Sequence, residues 1–179
     1  AGQHPDAASG AIATPITQTT AFGYGTLERG AAIFAGEAPG YRYSRFGNPT
    51  VAALESKMAN LEGAQAAVAF ASGTAATSSV LLGLLSPGDE IVFLGPLYGG
   101  TEGLFRQMGE RFGIRVVDAT QLGLATCLTP ATRMVWVETL TNPSLRVHDL
   151  TEVAALAKAH GVLTVAVSYT HLRAHETVL

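Results

Sequence analysis

The sequence predicts an α/β fold: a largely parallel, incomplete sheet with flanking helices, preceded by an extended N-terminal arm. Three observations point there. After Pro49, short apolar runs of strand length alternate with segments whose apolar residues recur at helical spacing. That alternation builds a parallel sheet covered on both faces. Residues 1–48 carry Gly and Pro throughout and little periodicity, which reads as an arm. Finally, 47% of the 179 residues are apolar and only 14% are charged, against about a quarter charged in an ordinary soluble domain. Much of the surface is therefore expected to lie against partners or against missing parts of the fold.

The arm holds one short helix, near Leu27 to Phe34. Pro49 suits a first helical turn, Val51, Leu54, Met58 and Leu61 recur at helical spacing, and Gly63 is a natural stop. Ala64 to Ala71 is a short apolar run that predicts a buried strand. Ser72-Gly73-Thr74 is a turn, Ala75 to Leu85 a helix, and Pro87-Gly88-Asp89 a break. Glu90 to Leu94, Ile114 to Asp118, Met134 to Glu138 and Val162 to Val167 are strand-like. Gly99 to Phe112 and Asp149 to His160 are helical, the latter with Leu150, Val153, Ala154, Leu156 and Ala157 on its apolar side.

Composition excludes several classes. The net charge is −3 and no basic run occurs, which argues against nucleic acid as a partner. Residues 1–11 lack a basic start followed by an apolar block, so no signal peptide is expected. The uncharged stretch Gly63 to Gly88 is long enough to span a bilayer, but its Ser, Thr and Gly residues favour a strand followed by a buried helix, and no membrane partner is expected. The single cysteine, Cys127, fits a reducing cytoplasm.

The turn at Ser72-Gly73-Thr74 lies between an apolar run and a helix start. Amides there lack intrahelical partners, and the helix dipole favours an anion, so this turn can cradle a phosphate. Ser-Gly turns also serve simply as helix caps, and the turn alone leaves both readings open. No G-x-x-x-x-G-K-[ST] occurs, and Gly23, Gly25 and Gly30 have the wrong spacing for G-x-G-x-x-G. A second candidate is Tyr41 to Thr50, YRYSRFGNPT, whose arginines suit a phosphate by their paired, charge-assisted hydrogen bonds. Locally it could equally be a solvated arm with a turn.

Taken together the motifs are more specific. YSRFGNPT, LEG at Leu61 to Gly63, ASGTAA at Ala71 to Ala76, PGDEI at Pro87 to Ile91, LYGGT at Leu97 to Thr101 and ETLTNP at Glu138 to Pro143 occur in this order. The set resembles the Cys/Met-metabolism enzymes dependent on pyridoxal 5'-phosphate (PLP): cystathionine γ-synthase, cystathionine γ- and β-lyases, methionine γ-lyase and O-acylhomoserine sulfhydrylases. The resemblance covers residues 12–166, less than half of a full-length member. It implies PLP-dependent transferase fold type I, the aspartate aminotransferase-like fold, with residues 49–166 as a truncated large domain. It implies that Gly73 and Thr74 bind the cofactor phosphate and that Tyr43 and Arg45 reach the phosphate of a neighbouring subunit, in a dimer of dimers. By the same resemblance, Tyr98 stacks on the cofactor ring and takes part in catalysis, Asn142 lies near the phenolic oxygen and the carboxylate of an amino-acid substrate, and Glu138 stands behind them.

The chain departs from that pattern at its end. The aspartate expected to pair with the ring nitrogen falls at Val167, and the Asn-Thr that should follow fall at Ser168 and Tyr169. The cofactor-binding lysine, in a Ser-x-Thr-Lys context, is missing; the lysines are Lys57 and Lys158. Residues 167–179 read as a non-native tail. His171 and His175 would share a helical face, but with no third ligand evident no metal site is expected. This polypeptide is therefore expected to be inactive, although its parent is expected to catalyse γ-elimination or γ-replacement. Gly100 stands where methionine γ-lyases carry cysteine, which counts against that reaction. The alternative from another class is a non-enzymatic α/β phosphate-binding or interaction module.

Overall fold

The computed structural model describes residues 4–7 and 9–168, so the tail with His171 and His175, and Tyr169, lies outside the described residues. The chain forms two compact units, one ending at Ala71 and one beginning at Ser72.

In the first unit, helix α1 (Leu27–Ala35) starts at Thr26, whose side chain accepts from the Arg29 amide, and stops at Gly36 with a left-handed φ of 76°. Helix α2 (Pro49–Glu62) is capped by Asn48, with Pro49 in its first turn. Asn48 ties this unit together. Its Oδ1 accepts from the Thr50 amide (2.9 Å), and its Nδ2 donates to the Thr17 carbonyl (2.9 Å) and the Ser44 hydroxyl (3.0 Å). Ser44 N–H in turn donates to the Thr20 carbonyl, and Ala21 bridges Tyr43. Asn48→Ala removes a cap and two bonds from a buried position. It is expected to cost about 2 kcal/mol and to speed amide exchange at Ser44 and Thr50 by at least tenfold; unchanged exchange would refute the linchpin role.

One expectation fails in this unit, and one helix face lies open. The stripe on α2 is not core: Val51, Leu54 and Leu61 are exposed, and the buried residue is Ala59. Residues 64–71 form no strand and are mostly exposed. A strand exists only with a ladder partner, and no strand among the described residues pairs with this run. The Ala69 amide is met by a side chain instead, Glu55 Oε1 at 2.9 Å.

The second unit follows the predicted alternation. Its elements are α3 (Gly73–Leu84), β1 (Glu90–Leu94), α4 (Gly99–Phe112), β2 (Arg115–Asp118), the short α5 (Leu124–Cys127), β3 (Thr132–Glu138), α6 (Leu150–Ala159) and β4 (Leu163–Val167). Only α5 went unpredicted. The four strands are all parallel, in the order β2-β1-β3-β4.

Side chains of the central strands alternate between two cores. Ile91, Met134 and Trp136 join Leu81 of α3 and Phe105 and Met108 of α4 on one face. Val92, Leu94, Val135 and Val137 join Leu124 of α5 and Val153 and Ala157 of α6 on the other. Ala154, expected on the apolar side of α6, is exposed; the face is carried by Leu150, Val153, Leu156 and Ala157. At the amino end of the sheet, buried Glu90 pairs with Arg115 (2.6 Å) and accepts from the hydroxyls of Thr129 and Thr132, joining β1, β2 and β3. No helix among the described residues is long and apolar enough to cross a membrane.

Candidate functional site

The strand order fixes where a ligand can enter. From β1 the chain passes through α4, on one face, to β2; from β3 it passes through α6, on the opposite face, to β4. The two exits diverge and open a crevice at the carboxyl ends of β1 and β3, the usual ligand position in open α/β sheets. A cavity of about 270 Å³ lies there. It is lined by Gly73, Thr74 and Thr77 of α3, Tyr98, Gly100, Thr101 and Leu104 after β1, Glu138, Leu140 and Asn142 at and after β3, and Val167 at the end of β4.

Each wall has a local cause. Ser72, in extended conformation, caps α3: its Oγ accepts from the Ala75 amide (3.1 Å) and its carbonyl from the Ala76 amide (3.1 Å). The amides of Gly73 and Thr74, the first two of the helix, have no intrahelical acceptor, and both residues stand at the cavity wall. No acidic residue sits in this first turn to offset the helix dipole.

Tyr98 precedes α4 and is 59% exposed. Its amide donates to Glu138 Oε1 (2.8 Å), and its carbonyl accepts from Thr101 and Glu102. Asn142 sits on a turn built by fully buried Thr141. The Thr141 Oγ1 meets the Ser144 hydroxyl (2.7 Å) and accepts from the Arg146 amide (2.9 Å), while Thr141 N–H donates to the Arg146 carbonyl (3.0 Å). Val167 pairs in register with Glu138 and puts an apolar side chain into the wall. The structure thus gathers Gly73, Thr74, Tyr98 and Asn142, with Glu138, around one cavity.

Tyr43 and Arg45 belong to the first unit. The Arg45 guanidinium lies 4.9 Å from the Tyr43 ring centroid and 5.2 Å from that of Phe46. The Arg45 side chain is exposed, and no carboxylate of the described residues lies within ion-pair distance. Thr77, Thr101 and Thr141 were missed by sequence reasoning. Thr77 could have been found as the next residue on the Thr74 face of α3, one turn on; Thr141 left no signal, because its role is to satisfy a turn.

The family model described as Cys/Met metabolism PLP-dependent enzyme matches residues 1–172. The chain belongs to the Cys/Met metabolism PLP-dependent enzyme family. Among its relatives, L-methionine gamma-lyase of Pseudomonas putida is 42% identical over 173 residues, 95% of this chain and 43% of that protein. Cystathionine gamma-lyase of Bos taurus is 39% identical over 178 residues, 97% of this chain and 42% of the relative. A solved structure of a putative O-acetylhomoserine (thiol)-lyase from Campylobacter jejuni, which carries an N'-pyridoxyl-lysine-5'-monophosphate, superposes with a TM-score of 0.84 at 31% identity, over 93% of this chain and 42% of that one. The chain thus spans less than half the length of the relatives it matches. Their names cover several reactions, so similarity does not support the argument from Gly100 against methionine γ-lyase.

The fold is fold type I of PLP enzymes. The family's cofactor can be tested against the residues present. At one end of the cavity two unpaired helix amides and the Thr74 hydroxyl offer donors to a phosphate, and Tyr98 offers an aromatic face; these fit PLP. At the end of β4, where the family pattern places a carboxylate for the ring nitrogen, the side chain is the isopropyl group of Val167. Lys57 and Lys158 lie on α2 and α6, and neither lines the cavity.

Proposed function

We propose that this chain is the phosphate-holding part of a PLP-dependent trans-sulfuration enzyme, whose longer form acts on sulfur amino acids or O-acylhomoserines by γ-elimination or γ-replacement. The observation that carries the reading is the convergence of Gly73, Thr74, Tyr98 and Asn142 on one cavity at the point where the strand order reverses. PLP, when bound, supplies an electron sink for charge developing beside the substrate's amine. The residues supply the rest. Gly73 and Thr74 hold the phosphate through backbone amides. Tyr98 covers the ring, and its hydroxyl gives or takes a proton at the substrate. Asn142 orients the substrate carboxylate by hydrogen bonding. Leu104, Leu140 and Val167 give the cavity an apolar wall that limits water.

On its own, the chain binds the cofactor without a covalent bond and does not turn substrate over. Borohydride reduction of the chain mixed with PLP is expected to leave no stoichiometric adduct at Lys57 or Lys158 by mass spectrometry; a stoichiometric adduct at either would overturn this. The longer reading frame is expected to encode Asp-Asn-Thr after Ala166 and a later Ser-x-Thr-Lys. Assays of its product with O-acylhomoserines, cystathionine and methionine would then separate synthase, lyase and sulfhydrylase.

Tyr43 and Arg45 serve the site of a neighbouring copy in a cytoplasmic homotetramer. The exposed guanidinium of Arg45, held over Tyr43 and with no ion-pair carboxylate among the described residues, supports this. Arg45→Ala is expected to weaken phosphate binding about tenfold, the loss of one charge-assisted pair, and only in samples that sedimentation shows to be oligomeric. A strict monomer that loses binding on Arg45→Ala would refute the shared site.

A further inference from the structure

Tyr98 carries a ring that packing does not hold: it is 59% exposed, at the rim of the cavity. A ring so placed needs its backbone fixed and its rotamer chosen by something else. Two features of the crevice supply these.

The first is Glu138. Its side chain is buried, 6% exposed, at the last position of β3. A buried carboxylate needs hydrogen-bond donors, and this one accepts the Tyr98 amide at 2.8 Å. The bond joins the end of β3 to the segment after β1, across the crevice where the chain paths separate. Tyr98 occupies the cap position of α4 and makes no side-chain cap bond there. The Glu138 carboxylate beside that helix start is electrostatically favoured and anchors the residue whose carbonyl receives the amides of Thr101 and Glu102.

The second is Gly100. Its φ is not in the left-handed region, and it lies in the first turn of α4, where alanine would be the better helix former. A Cβ at this position would stand 2.5 Å from Tyr98 Cε1 and 3.2 Å from Cδ1 and Cζ. The missing side chain is therefore space that the tyrosine ring occupies.

We propose that Glu138 is a positioning residue for Tyr98, acting through the Tyr98 amide, with the bare Gly100 as the second half of the same device. The inference rests on the reading that Tyr98 covers the cofactor ring, and its test separates the two. Isotope-labelled chain and its Glu138→Ala, Glu138→Gln and Gly100→Ala variants are compared by amide hydrogen exchange at Tyr98, with Val135 and Val137 as fold controls. PLP binding is followed by quenching of Trp136, the only tryptophan.

Glu138→Ala is expected to lower Tyr98 protection and PLP affinity about tenfold each, the loss of one charge-assisted bond, with Val135 and Val137 still protected. Glu138→Gln keeps an oxygen acceptor and is expected to stay within about threefold of the parent in both. Gly100→Ala is expected to raise the unfolding midpoint, as a better helix former, and yet to weaken PLP about fivefold because the ring is displaced. Unchanged Tyr98 protection in Glu138→Ala overturns the proposal, as does a Glu138→Gln variant as impaired as Glu138→Ala. Should Glu138→Ala fail to fold, Gly100→Ala binding PLP as the parent does would overturn it. Should the parent bind no PLP, the reading of Tyr98 falls, and the exchange data still decide whether Glu138 clamps it.

Discussion

Thr74→Glu is expected to weaken PLP binding by this chain at least thirtyfold while leaving its stability unchanged or slightly raised. The substitution places a carboxylate at the second residue of α3, in the wall of the cavity and beside the two amides that no helical carbonyl reaches. Against a phosphate about 4 Å away, one extra negative charge opposes binding by up to about 4 kcal/mol at the effective dielectric of a protein surface. Screening and side-chain motion reduce that to about 2 kcal/mol, a factor of about 30. The same carboxylate suits the positive end of the helix dipole, contributing about 0.5 kcal/mol to folding. Binding and stability should thus move in opposite directions, which a merely damaged protein would not do. Trp136 quenching gives the first quantity and urea unfolding the second. Unchanged PLP affinity in a folded Thr74→Glu chain would remove the cradle from the site.

Phe105→Ala is expected to have the largest effect on the fold of the second unit. Phe105 is buried on α4 and stands edge-on to Trp136 of β3, with centroids 5.4 Å apart and planes at 86°, and edge-on to Phe93 of β1 at 5.9 Å. It is the side chain through which α4 grips both central strands. Truncation costs the buried ring, the cavity left behind and two aromatic pairs, about 3–5 kcal/mol together. That is a large share of the 5–15 kcal/mol that stabilises a typical domain, and it falls on the helix that carries Gly100 and Thr101 into the cavity wall. A loss under about 1 kcal/mol in urea unfolding would mean that the core relaxes around the gap, which a close-packed interior does not readily do.

The second unit was legible in the sequence because its elements are specified locally. Glu90 to Leu94 is an apolar run with a Pro-Gly-Asp break before it, and Ser72 and Asp149 are starts whose chemistry acts within three residues. The run at residues 64–71 misled for the opposite reason: it is apolar enough for a strand, but strand character depends on a partner elsewhere in the chain. The spacing on α2 gave the helix, but not that its face is open, since helical spacing says which side chains share a face and not whether anything covers it. The site divides the same way. Gly73 and Thr74 could be singled out as candidates from a helix start, although only the family resemblance gave them a phosphate to hold. The bond from Glu138 to the Tyr98 amide joins residues 40 apart and depends on β1 and β3 being neighbours. Thr141 escaped notice because nothing in its own neighbourhood distinguishes a turn anchor from a solvent-facing hydroxyl.

The central claim is that a phosphate rests on the first amides of α3. It is tested most directly by following the backbone amide resonances of the labelled chain during titration with PLP and, separately, with pyridoxal, which lacks the phosphate. The predicted result is a downfield shift of the Gly73 and Thr74 amides with PLP that pyridoxal does not produce. Equal shifts with both compounds, or shifts from PLP that bypass Gly73 and Thr74, would contradict it.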